Sequence, residues 1–293
     1  MRIGIVSQAP TSTTLALAAV RLPDVELVPM TPVEAVTSLA HGDAALGRLD
    51  VRPTLDGVEP GLWALGVLAA RGVTVLNGPA TLIATHDKLL TARLLRRAGL
   101  PHPRTQHLRV GRPLEVLPTP VVLKPRHGSW GRNVTLCETP RDLTEALDRV
   151  RAEPWFLEHG VLVQQLVPPT GSDLRVVVAG DRVVGAIHRL AAPGEWRTNV
   201  ALGATRVPAE APCEARELAL AAARATSAVL AGVDLLATPD GGFTILEVNG
   251  AVDFTADYLL DGDVFREATE EICRAAAGVA TGARPDSGDA VLV

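Results

Sequence analysis

The chain has 293 residues, 47% apolar and 21% charged, with 28 basic against 33 acidic side chains and a net charge of −5. That is a globular composition with room for two or three cored units, and its acidic balance argues against bulk nucleic-acid binding. Three scattered cysteines (Cys137, Cys213, Cys273) without CxxC or Cys/His spacing argue against a disulfide framework or a zinc site, and no run nears the roughly 18 apolar residues of a membrane span.

The N-terminal RIGIV (2–6) reads as a first parallel strand, not a signal peptide, and a reducing cytoplasm is the expected compartment. A helix near 12–21, a strand at 25–30, a strand within 43–49, a helix at 61–73 and a short strand at 74–78 follow. That alternation predicts an α/β sheet with parallel neighbours. Residues 81–98 read as one helix closed by Gly99, with Pro101 and Pro103 as a stop and hinge. Next come a strand–loop–strand around Lys124, a helix over 140–152 and a strand at 160–167. A hairpin spans 173–190 about Gly180-Asp181, a long helix covers 209–231, a second hairpin spans 232–250, and a last helix covers 263–278. Four units are expected: 1–85, 86–172, 173–280 and a flexible tail, 281–293.

Two stretches carry charge where a core would not accept it. In VVLKPRHGSWGRNV (121–134), Lys124 ends a buried strand, and a loop with Gly128, Ser129 and Gly131 follows. The Lys precedes the glycines, so this is not a Walker A loop, yet a strand-end lysine under a Gly-Ser loop suits phosphates. In the second hairpin Glu247 and Asn249 are two apart on a strand marked as buried by Ile245, Leu246 and Val248, with Asp234 on the partner strand. Three oxygen donors on one sheet face suit Mg²⁺; the plainer alternative is a polar rim.

Taken together, THDKLLTARLLRRAGLPHPRT, VVLKPRHGSWGRNV, VLVQQLV, SDLRVVVAGDRVVGAIHR, GEWRTN, GVDLL and LEVNG resemble the ATP-grasp superfamily in order and spacing. The nearest branch holds the RimK-like ligases, which act on ribosomal protein S6 or on the amino-carrier protein of lysine biosynthesis. The resemblance implies an α/β ATP-grasp fold in which two α+β units clamp ATP behind an N-terminal α/β unit. It places Lys88 and Lys124 on the ATP phosphates and Gly128, Ser129 and Gly131 in a lid loop. Gln165 and Leu166 would form the adenine hinge, Asp173 would face the sugar, and Arg197 and Asn199 would reach the transferring phosphate. Asp234, Glu247 and Asn249 would hold two Mg²⁺ (or Mn²⁺), with Glu247 bridging, and Arg175 and Arg189 would hold a substrate carboxylate or stabilise the transition state, the plainer alternative being strand-face charges exposed or paired across the hairpin.

The implied reaction is carboxylate–amine ligation through an acyl phosphate, joining a glutamate-like α-amino acid to a peptide, metabolite or small acidic carrier protein. The resemblance also implies a dimer or tetramer, and no nucleic-acid or membrane partner. Arg93, Arg96, Arg97, Arg104, Arg109 and Arg112 form a basic run that would suit an acidic carrier. One departure stands out: Leu202 occupies the place of an arginine in the family's Arg-Gly-Gly segment, with Arg206 nearby. It keeps open a nucleotide-binding regulator that has lost turnover; a separate rival within the enzyme class is a small-molecule ligase of the D-alanine–D-alanine or glutathione-synthetase type.

Overall fold

The computed structural model describes residues 1–50, 57–109 and 117–280. Arg112 and the 281–293 tail therefore lie outside the described residues.

The chain opens with β1 (Arg2–Val6), α1 (Ser12–Ala19), β2 (Glu26–Met30), α2 (Pro32–Ser38), β3 (Ala44–Gly47), α3 (Leu62–Ala70) and β4 (Thr74–Leu76). The four strands form a parallel sheet in the order β2-β1-β3-β4. The helix α2 was not anticipated, although TPVE carries its signal. Thr31 and Glu34 close a capping box around Pro32 at the first turn.

Two helices follow, α4 (Pro79–His86) and α5 (Lys88–Arg97), where one was expected. Asp87 divides them. Its carboxylate accepts from the N–H groups of Leu89 and Leu90, so it caps the second helix instead of continuing the first. A second sheet then forms from β5 (Thr105–Leu108), β6 (Val121–Pro125), β7 (Thr135–Cys137) and, after α6 (Pro140–Val150) and α7 (Pro154–His159), β8 (Val161–Gln165). Its order is β5-β8-β6-β7 and every pair is antiparallel.

The third sheet takes β9 (Ser172–Ala179), β10 (Arg182–Leu190), β11 (Thr205–Pro208), then, after α8 (Cys213–Ala225), β12 (Leu230–Ala237) and β13 (Phe243–Asn249). The chain closes on α9 (Val264–Ala280). The helix expected over 209–231 ends early. Ser227 adopts a left-handed φ of 55° that breaks it, and residues 230 and 231 already belong to β12.

The third sheet runs β11-β10-β9-β12-β13, and both of its faces are used. Leu174, Val176, Val178, Val233 and Leu235 pack on the alanine face of α8. On the opposite face Val177, Ala179 and Leu230 join a core with α9, α1 and the N-terminal sheet. Further along the same strands that face turns polar, at Asp173, Arg175 and Asp234. Side chains two apart on a strand share a face, so one surface is core at one end of the strands and cleft floor at the other. Among the described residues no helix is long and apolar enough to cross a membrane.

Candidate active site

A cleft of about 540 Å³ opens between the second and third sheets, and every residue expected at the site lines it. The third sheet builds its floor by register. Arg206, Arg189 and Asp173 are cross-strand neighbours on β11, β10 and β9. Arg175, Asp234 and Glu247 form the adjacent row on β9, β12 and β13. Cross-strand partners share a face, so charges far apart in sequence converge.

Four of them form a closed network. Arg175 donates to both oxygens of Asp234, from Nε at 2.6 Å and Nη2 at 2.7 Å. Arg189 donates through Nε to Asp173 at 2.8 Å, through Nη2 to the other Asp173 oxygen, and through Nη2 to Asp234 at 2.8 Å. Thr198 adds a hydroxyl to Asp173 at 2.6 Å. Two cations and two anions sum to zero in a buried layer, which is how buried charge becomes tolerable. Burial alone would raise the Asp234 pKa, and the charges of Arg175 and Arg189 reverse that, holding it at about 2.

Two of the expected ligand-binding carboxylates are thus already engaged by protein groups. Asp173 is spent on Arg189 and Thr198 instead of presenting a free carboxylate to a sugar. Both oxygens of Asp234 accept from arginines, two bonds on Oδ2 and one on Oδ1, so one lone pair on Oδ1 is left for a further ligand. Among the described residues no group of three His, Cys, Asp or Glu side chains is arranged to hold a metal.

Glu247 and Asn249 do fit a hard divalent cation. Glu247 is partly exposed to the cleft and meets Lys88 Nζ at 3.2 Å. The buried atom of Asn249 without a protein partner is Nδ2, a hydrogen-bond donor, so a cation would be met by its Oδ1 and the Nδ2 end would still need an acceptor. Both supply oxygen donors of the kind Mg²⁺ prefers. Leu246, expected in the core beside Ile245, also lines the cleft.

The roof is the second sheet and its loop. Lys124 alternates with core Leu123 and so faces the cleft, with its Nζ 2.8 Å from Gln164 Oε1. Gln164 is itself held by Thr105 at 2.8 Å and His102 at 3.2 Å. Burial lowers the Lys124 pKa to about 8; Glu247 opposes that shift and Lys88 adds to it. Lys88 is fixed where Asp87 caps α5: Arg126 grips Asp87 with two bonds, and the Lys88 ammonium reaches the Gly128 carbonyl.

The loop of Gly128 to Asn133 is held in left-handed backbone, at Gly128, Trp130, Gly131 and Asn133. At Gly131 a Cβ would stand 2.6 Å from Asn199 Oδ1 and 3.0 Å from Leu202 Cδ1, so glycine is required by contact as well as by φ. Arg197 pins this loop. Its Nη1 donates to the Gly131 carbonyl at 2.9 Å and the Val134 carbonyl at 3.4 Å, while Glu195 holds its other nitrogens at 2.7 and 2.9 Å. Hydrogen bonds from Arg197 hold the Glu195 carboxyl at about 2, well below the usual range. Arg197, expected on the phosphate, is thus held by Glu195 and by the carbonyls of this loop. Leu202 packs against the same loop.

At the expected adenine hinge two N–H groups are engaged by backbone carbonyls. The N–H of Gln165 donates to Arg104 at 2.8 Å and that of Leu166 to Pro120 at 3.3 Å, so neither is available to a base. The next N–H, on cleft-lining Val167, has no partner among the described residues. Of the nearby histidines, His127 lines the cleft, with burial lowering its pKa to about 4, while His86 and His188 are not among its walls.

A family model described as the RimK-like ATP-grasp domain matches residues 85–260. The chain belongs to the RimK-like ATP-grasp family. Among curated relatives, it is 34% identical over 190 residues to a probable alpha-L-glutamate ligase of Parasynechococcus marenigrum, a match covering 62% of this chain and 39% of that protein. It is 30% identical over 220 residues to the glutamate–LysW ligase ArgX of Sulfurisphaera tokodaii, covering 72% of this chain and 76% of that one. It is 32% identical over 187 residues to the alpha-aminoadipate–LysW ligase LysX of Saccharolobus solfataricus, covering 62% and 68%. Two solved structures share the fold. A D-alanine–D-alanine ligase of Bacillus anthracis complexed with ATP gives a TM-score of 0.69 at 20% identity, over 97% of this chain and 100% of that one. A RimK domain ATP-grasp protein of Sphaerobacter thermophilus gives 0.64 at 23%, over 93% and 100%. The ATP-grasp fold and the ligase class expected from the motifs agree with this membership.

Proposed function

We propose that the chain activates a carboxylate with ATP and joins it to an amine, with glutamate or a close analogue as the amino acid and a small carrier protein or peptide as acceptor. The observation that carries the reading is the single cleft. Its roof offers lysines and a glycine loop suited to phosphates, and its floor offers the Arg206 guanidinium, suited to a carboxylate, beside the closed aspartate–arginine network. The LysW named in two relatives supports a carrier as acceptor. Residues 1–85, 86–172 and 173–280 are the proposed working units, in a cytoplasmic homo-oligomer.

The roles follow from chemistry. Lys88 and Lys124 would neutralise the triphosphate, and the Gly128–Gly131 loop would cover it. The carboxylate oxygen attacks the γ-phosphorus of ATP, ADP leaves, and the amine then displaces phosphate from the acyl carbon. Water must be kept out between these events, because an acyl phosphate hydrolyses; the Arg197 latch serves that need. Glu247 and Asn249 would hold Mg²⁺, whose contribution when bound is charge neutralisation at the phosphates. A second Mg²⁺, if bound, would draw on Glu247 and on the lone pair that the arginines leave on Asp234 Oδ1, adding charge neutralisation.

The test is ADP release with ATP, Mg²⁺ and a panel of amino acids including glutamate and aminoadipate. Amino-acid-dependent release supports the ligase; tight ATP binding without turnover for any donor or carrier favours the regulator.

Two further outcomes are expected. Lys124 titrates near 8, and ATP needs its ammonium, so ATP affinity measured calorimetrically should weaken as pH rises above 8. The stability sign is opposite. The unfolded chain holds the proton up to the ordinary lysine value of 10.5, so unfolding free energy should climb between pH 8 and 10.5. Lys124→Gln should bind ATP more weakly, without the break near 8. Arg197→Ala should release the lid, raising KM for ATP about tenfold, the loss of one or two charge-assisted hydrogen bonds, and increasing acceptor-independent ATP hydrolysis.

A further inference from the structure

The cations around the cleft separate by whether a carboxylate answers them. Arg175 and Arg189 are closed into the aspartate network, Lys88 meets Glu247, and Arg197 meets Glu195. Among the described residues that line the cleft, Lys124, Arg132 and Arg206 have no ion-pair partner. Lys124 faces Gln164, and Arg132 lies over the Trp130 ring, 4.8 Å from its centroid, so both belong to the roof and its lid. Arg206 is alone on the floor.

Its position is set by strand pairing. Arg206 lies directly across β11–β10 from Arg189, so two guanidinium groups stand opposite each other on one face. Like charges in that arrangement repel unless an anion lies near both. Asp173 and Asp234 already take up the Arg189 bonds, and both are buried. Arg206 is exposed, on the outermost strand of the sheet, with its side chain at the cleft. Leu202, three residues after Asn199, turns towards the lid and adds no charge.

We propose that Arg206 binds a carboxylate of the amino-acid substrate, placing that substrate at the β10–β11 end of the cleft, apart from the phosphate-facing lysines. This rests on the ligase reading. It assigns the specificity for an acidic or zwitterionic substrate to a residue on the edge strand and leaves ATP to the roof. A guanidinium suits the role because it can grip a carboxylate with two parallel bonds.

The test is amino-acid-dependent ADP release by the wild type, Arg206→Gln and Arg206→Lys, with ATP binding followed separately by calorimetry. Arg206→Gln should raise KM for the amino acid at least tenfold while ATP affinity stays within twofold, and Arg206→Lys should recover part of the loss. An unchanged amino-acid KM in Arg206→Gln, with an active wild type, overturns this inference and leaves the ligase reading standing. Parallel loss of amino-acid and ATP affinity assigns Arg206 to the nucleotide and also overturns it. A wild type that binds ATP but turns over no amino acid or carrier removes the ligase reading, and this inference with it.

Discussion

Asp234→Ala should lower the unfolding free energy of the protein, free of metal and nucleotide, by about 3–5 kcal/mol in a urea titration. The substitution removes the anion that answers Arg175 at 2.6 and 2.7 Å and Arg189 at 2.8 Å. Asp173 is then the one carboxylate left in the network, held by buried Arg189, while Arg175, partly exposed at the cleft, loses both of its bonds. The experiment separates two roles. A side chain that serves only a cation is not missed when the cation is absent, and its removal then leaves stability unchanged or improved. A loss under about 1 kcal/mol would set the network aside and return Asp234 to the metal. The double variant Asp234→Ala with Arg175→Met, which removes one charge of each sign, should recover part of the loss.

Glu247→Gln should reduce kcat for amino-acid-dependent ADP release by about 10²–10³-fold, the scale of losing one electrostatic contact at a phosphoryl transfer site. Stability should change little, because Glu247 is partly open to the cleft and its partner Lys88 keeps the Gly128 carbonyl. The variant should also need more Mg²⁺ for half-maximal rate. Wild-type turnover in Glu247→Gln would remove this carboxylate from the reaction. The contrast is the point: neighbours in one cross-strand row are predicted to fail differently, Asp234 through folding and Glu247 through chemistry.

The sequence was most legible where one residue broke a strong local pattern. Lys124 ends an apolar run, and the alternation of Leu123 and Lys124 places it in the cleft. Most strands and the helices of Ser12–Ala19 and Leu62–Ala70 were readable by periodicity and by glycine and proline stops. What could not be read was who holds whom. Arg197 carries the charge a phosphate needs, but two residues away lies Glu195, and the lid carbonyls are beside it only in three dimensions. Gln165 and Leu166 sit in the extended segment expected of a hinge, yet their N–H groups are taken by Arg104 and Pro120 from distant chain. Asp87 was readable in principle, since aspartate within a helical run more often starts a helix than continues one.

The pairing of β12 with β13 slips by one residue after Asp234: Asp234 stands opposite Glu247, but Leu235 stands opposite Ile245. Leu246 is thus the unmatched residue of a bulge. Strict alternation would put Ile245 and Glu247 on one face, whereas Ile245 packs on α8 while Leu246 and Glu247 line the cleft. Deleting Leu246 would restore strict alternation, with Ile245 and Val248 still on the α8 core and Glu247 and Asn249 still at the cleft. The hairpin should therefore accept substitutions and length changes at Thr238–Gly242 and also tolerate loss of Leu246, whereas loss of Val248 would turn Asn249 off the cleft face. In a family drifting by insertion and deletion, a bulge is where a strand can gain or lose one residue and still keep its functional side chains on one face.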